Sequence, residues 1–364
     1  MVSAAVPGPT SKSSTTPWLV GPRYDLLWFF ASMAVPYAMA LFYLAVGPGP
    51  NKVVVLGLYV AFQLLFNLPH NAQTWTLTVM EPAELSAHRA RYWGSVVVTV
   101  ALLGGTMALS PKEAWPLLNS LIIYWGYWHL IKQHFGFVRI YEMRQRVFGN
   151  VDKHLSRAVL YVGGLAPLVQ RIASGQVQLD PGRGAPMTIA HPPIPQELAT
   201  AWWTVSGVLL VLYLGRQVML RARGLPNAPL AVATIVSALF NFFVALQLLD
   251  DLIVGVAIMT VWHNIQYIGL VWFMSQNRAR RQGGGAHLVK WAGQGRVAPY
   301  VLVLAVYAVM ILAARVALPE PWGAFPITFV VALHYFHDSF IWKISSNPHL
   351  REELGLAAPK PAPG

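Results

Sequence analysis

Residues 127–141, YWHLIKQHFGFVRIY, place His129 and His134 inside an apolar run long enough to form a membrane helix. An ionisable side chain at membrane depth costs free energy, so its presence marks function by default. Three other runs repeat the theme: LPHNAQTW around His70, VWHNIQYIGLVW around His263, and LHYFHDSFIWK around His334 and His337. Imidazole is a ligand for zinc, copper, iron and nickel. A metal-bound histidine commonly passes its second N–H to a carboxylate, carbonyl or amide. Asn71, Gln73, Gln133, Asn264, Gln266 and Asp338 stand beside these histidines and are read as that outer layer or as extra ligands. Asp338, Gln133 and Gln266 are the candidates for chemistry next to a metal held by His70, His129, His134, His263, His334 and His337. Six imidazoles exceed what one catalytic ion needs, which leaves room for two ions or for one ion with spare acid–base groups.

Spacing decides which of these groups can converge. His334, His337 and Asp338 lie three and four residues apart, so all three are expected on one helix face. His263 has Gln266 and Tyr267 at the same offsets, and His70 has Gln73 and Thr74. His129 and His134 are five apart and would diverge by about 140° on a regular helix. The motif HNxQ at 70–73 and 263–266 corresponds to HLIKQ at 129–133 with one residue inserted. A π-bulge would absorb such an insertion and turn both histidines inward, so a bulge is expected there. Trp128, Tyr267 and Tyr335 are candidate cavity walls.

The elements that must position these residues are membrane helices. Charged residues make up 11% of the chain and apolar ones 55%, against roughly 25% charged in an average soluble domain. Windows of about 20 apolar residues predict an all-α bundle of about ten spans: 26–46, 53–79, 94–109, 115–141, 156–173, 197–219, 230–249, 252–274, 298–318 and 323–344. The break between the seventh and eighth rests on Asp250 and Asp251 alone. Residues 1–25 read as a polar N-terminal segment, 26–345 as one membrane domain, and 346–364 as a cytoplasmic tail with a disordered AAPKPAPG end. Ala38-Met39-Ala40 imitates a signal-cleavage site, but it lies deep in a long run and is read as part of a retained first span. The Pro- and Gly-rich stretch 174–196 reads as an external loop, and the glycines at 283–285 as a flexible linker.

The net charge of +12 comes largely from Lys and Arg in alternate loops, which the positive-inside tendency explains without a nucleic-acid partner. Those loops set both termini in the cytoplasm and the protein in a bacterial-type inner membrane. All six membrane histidines then fall on spans that run from outside to inside, roughly 10–18 Å from the cytoplasmic ends at ~1.5 Å per residue. A lone membrane histidine is more often an interhelical hydrogen-bond partner; six at one depth turn the reading toward a metal. His88, His154, His191, His287 and His349 fall in loops or tails and are read as solvated. Lys132, Arg139 and Lys343 can snorkel to the interface, and Arg139 can pair with Glu142. With no cysteine, disulfides, zinc–thiolate sites, iron–sulfur clusters and thiol catalysis are excluded.

The histidine set resembles that of integral-membrane non-haem iron enzymes. Lipid desaturases and hydroxylases of that kind carry HxxxH and HxxHH boxes; here His129 and His134 stand one residue further apart, and HYFHD has Asp338 where a histidine would be. Bacterial carotene dioxygenases of the Brp/Blh type are closer in architecture, being polytopic with single histidines spread over several spans. The resemblance implies a membrane oxygenase or desaturase-like oxidoreductase that uses iron, two ions being expected, on a lipid or isoprenoid substrate, with an electron donor. A haem-binding electron carrier and a proton or metal transporter remain the alternatives.

Overall fold

The computed structural model describes residues 16–46, 52–179, 187–282, 287–344 and 348–356. Helices occupy all ten places that apolar runs predict. In chain order they are α1 (Pro22–Val46), α2 (Lys52–Leu77), the short α3 (Pro82–Ala87), α4 (Arg89–Leu109), α5 (Ala114–Arg144) and α6 (Asn150–Ala173). There follow α7 (Gln196–Ala222), α8 (Pro229–Leu248), α9 (Leu252–Gln282), the short α10 (His287–Gly293), α11 (Val297–Ala317), α12 (Trp322–Ile341) and the short α13 (Pro348–Glu353). Eight of them are long and apolar enough to cross a membrane, so the chain is a multi-pass membrane protein. The other two long helices, α5 and α6, are more polar: α5 carries His129, Gln133 and His134, and α6 carries Arg171. Within 174–196 two strands of two residues, β1 (Gln178–Leu179) and β2 (Met187–Thr188), pair antiparallel.

The centre of the bundle is α9, whose apolar stretch is 78% buried, against 17% for α4, α7 and α11. It packs against both α2 and α5, and α12 packs against the same two. Four helices therefore surround one axis. The sequence marks both ends of the turn that feeds α9. Asp251 caps it, its carboxylate accepting the N–H groups of Ile253 at 2.8 Å and Val254 at 3.0 Å, the arrangement that satisfies orphan donors at a helix start. On the other side the buried Arg171 guanidinium donates to the carbonyls of Leu246 at 3.0 Å and Leu249 at 2.6 Å, and to that of Asp250. The Asp250–Asp251 break is thus a built turn.

The bulge expected in α5 is absent: α5 is α-helical throughout. π-helical turns occur instead at Leu26–Phe30, Gln63–Asn67 and Val244–Leu248. The second directly precedes Pro69 of α2. Proline cannot donate to the carbonyl four residues back, and its ring crowds that carbonyl; a widened turn at 63–67 relieves both. The signal was this proline rather than the extra residue in HLIKQ. Residues 348–356 also depart from a simple tail. There α13 returns to α9, where Arg278 donates to Glu353 at 2.9 and 3.0 Å and the Asn277 amide donates to the Glu353 carbonyl at 2.7 Å. The 283–285 glycines and the 357–364 end lie outside the described residues.

Candidate metal centre

His70 of α2, His129 of α5, His263 of α9 and His334 of α12 come together at the shared axis. One ring nitrogen from each lies within 4.8 Å of the others. The rings pack edge to face, with centroids 4.4 Å apart for His70 and His334, 4.9 Å for His70 and His263, 5.0 Å for His129 and His334, and 5.3 Å for His129 and His263. The Nε2 atoms of His70 and His334 are 2.8 Å apart.

One hydrogen-bond chain fixes the protons around His334. The Thr74 hydroxyl, one turn after His70, is 3.0 Å from Oδ1 of Asp338 and donates to it. The Tyr267 hydroxyl donates to the same oxygen at 3.0 Å. Since the single Thr74 proton is committed to the carboxylate, Thr74 Oγ1 accepts from Nδ1 of His334 at 2.6 Å. His334 therefore carries its proton on Nδ1 and presents the Nε2 lone pair to the cluster. This is the outer-layer arrangement that orients a ligating imidazole. Asp338 lies one turn beyond His334, so the two share a face as the spacing predicts.

At the edge of the cluster, His129 is 9% exposed while the other three histidines are buried deeper. Its Nε2 and the second Asp338 oxygen, Oδ2, face each other at 3.9 Å, both buried and neither hydrogen-bonded. They open onto a cavity of about 250 Å³ between α5 and α12, lined by Trp125, Trp128, Gln133, Phe137, Tyr267, Tyr335 and Trp342, with Lys132 one turn past His129 and Lys343 toward the Arg- and Lys-rich end. Four converging imidazoles, with Nε2 of His129 and Oδ2 of Asp338 left without partners beside them, form a group that could hold a metal ion; polar atoms buried without a partner are otherwise costly.

Two predicted ligands are placed elsewhere. On the unbroken α5, His134 turns away from His129; its Nδ1 donates to the Leu130 carbonyl at 2.8 Å, and its ring lies against Trp262 at 4.9 Å. His337 faces α4 rather than sharing the His334 face. Ser95 gives its proton to the Tyr92 carbonyl, so Nε2 of His337 donates to Ser95 Oγ at 3.0 Å. The amides do not form the expected outer layer either. Gln266 donates to the Phe29 carbonyl of α1 at 2.9 Å, and Gln73 to the Tyr300 hydroxyl at 3.2 Å. Residues three positions from a histidine aim at a neighbouring helix, whereas those four positions away, Thr74 and Tyr267, reach the site. Gln133, four after His129, stays on the cavity wall.

Comparison of the chain with protein-family models, with curated proteins and with solved structures gives no match. The buried ring packing of the site bears on one alternative: a haem with two axial histidines needs a flat macrocycle between their rings, and imidazoles 4.4–5.3 Å apart leave no such slot. Arg139 does pair with Glu142, near the Arg- and Lys-rich end of α5.

Proposed function

We propose that this protein is a membrane-embedded, metal-dependent oxidoreductase of the oxygenase or desaturase kind, with iron held by His70, His129, His263 and His334. The observation that carries the reading is the convergence of four imidazole nitrogens within 4.8 Å, from four helices, beside an aromatic cavity that reaches His129 and Asp338. One ion is the reading that the geometry favours, because His70, His129, His263 and His334 converge while His134 and His337 lie outside that group. Bound iron would supply oxygen activation and one-electron steps. The chain itself supplies the rest. Thr74 and Asp338 hold the His334 tautomer, Tyr267 steadies the carboxylate, and Asp338 Oδ2 is placed to accept or return a proton at the cavity. Aromatic walls exclude water and orient an apolar substrate, a lipid or isoprenoid taken from the bilayer. The Lys- and Arg-rich loops favour an orientation with both termini in the cytoplasm and the protein in a bacterial-type inner membrane, with electrons coming from a separate donor.

Metal content by mass spectrometry, with an absorption spectrum of the same detergent-purified sample, tests this directly. The expected result is near-stoichiometric iron without a haem band, lost in His129→Ala and in His334→Ala. Retention of metal by both variants would overturn the site, and a metal-free wild-type protein would redirect the buried network toward proton or ion transport.

A further inference from the structure

The cavity beside His129 has a polarity along its length. It carries Lys343 toward the Arg- and Lys-rich end and Lys132 one turn past His129, both exposed; in the other direction it ends at Tyr335. A second cavity of about 120 Å³ lies beyond, lined on α5 by Ile123, Tyr124, Gly126, Tyr127 and Leu130 and again by Tyr335. Tyr335 lines both, so its ring stands between two spaces that touch neighbouring faces of α5. Its ring centroid stands 4.9 Å from that of His129. Its hydroxyl end lies over Gly126, where an added Cβ would come within 2.5 Å of the oxygen. A glycine at 126 lets the ring lie flat against the helix and close the passage.

We propose that the cavity takes a single-chain amphiphile with an anionic head, the head at Lys132 and Lys343 and the chain running past His129, and that Tyr335 sets the chain length. This deepens the oxidoreductase reading by naming the substrate class and rests on it for the chemistry. The walls in contact with the chain are aromatic, so each methylene buried adds roughly fourfold in affinity. That gain stops where the chain meets Tyr335. If a methylene occupies about the ~30 Å³ of a water molecule, opening the second cavity admits about four more carbons.

Binding is measured on chelator-stripped full-length protein in detergent, using a homologous series of bromoalkanoic acids and the matching bromoalcohols. Trp125, Trp128 and Trp342 line the cavity, so bromine quenching of tryptophan fluorescence reports occupancy without any metal. Affinity of the acids rises with length to a plateau. The alcohols bind several-fold more weakly, and Lys132→Gln brings the acids down toward them. Tyr335→Ala moves the plateau to longer chains, while Tyr335→Phe, which keeps the ring, leaves it in place. If Tyr335→Ala does not fold, Tyr335→Leu carries the same expectation. An unchanged plateau in a folded Tyr335 variant, or equal binding of acids and alcohols, would overturn the proposal. Metal without chain binding sinks this inference alone, and chain binding without metal sinks only the oxidoreductase reading.

Discussion

The hydroxyl of Thr74 decides which nitrogen of His334 carries a proton, and so whether the other is free to act as a ligand. Thr74→Val keeps the shape but leaves a buried N–H without an acceptor, which costs about 1–3 kcal/mol. It should also weaken iron binding by roughly 10–100-fold, the usual effect of losing an outer-layer partner; Thr74→Ser restores most of it. His134→Phe should leave iron affinity nearly unchanged, because His134 is not among the four converging imidazoles and its ring packs on Trp262, Phe242 and the His263 ring, an aromatic role that Phe keeps. Competition with a coloured chelator measures all three. At this scale the sequence was legible where polarity stood out against its surroundings: His70, His129, His263, His334 and Asp338 are titratable groups in apolar runs. It misled where adjacency in sequence was taken for adjacency in space. Gln73 and Gln266 sit three residues from cluster histidines yet bond to other helices, while Thr74 and Tyr267, one turn on, close the network. His337 fell for the same reason, since three residues from His334 is far enough around α12 to face α4.

At the scale of elements, the connection from α8 to α9 governs where His263 stands. The chain turns there within Leu249, Asp250 and Asp251, and the Arg171 side chain substitutes for the hydrogen bonds that the end of α8 lacks. Arg171→Met removes a buried donor set from three carbonyls. We expect a loss of roughly 2–4 kcal/mol, seen as a melting temperature several degrees lower, with iron still binding to the protein that remains folded. Thermal unfolding followed by circular dichroism in detergent checks it. Composition and the two aspartates located this break correctly, since Asp at a helix start has a capping role that is local in sequence. The π turn in α2 was not foreseen, although Pro69 could have announced it. The insertion in HLIKQ pointed to α5 instead, where a continuous helix simply sends His134 to another neighbour.

For the molecule as a whole, the prediction concerns sidedness. Because the chain has no cysteine, single introduced thiols report position cleanly. With a membrane-impermeant maleimide, Gln196→Cys should be labelled in right-side-out vesicles and Ser86→Cys only in inverted ones; the opposite pattern would reverse the assigned orientation. The helical layout was largely readable because each span is dictated by its own run of apolar residues, whereas the order of packing around α9 depends on contacts between distant segments. That distance also shapes biogenesis. His70 and His334 touch across 264 positions of chain, and the last imidazole resides on the final long helix. A ribosome making this protein releases three ligands into the membrane before the fourth exists. On the proposed reading, capture of the ion would be the closing act of assembly, a rivet set after the frame is standing.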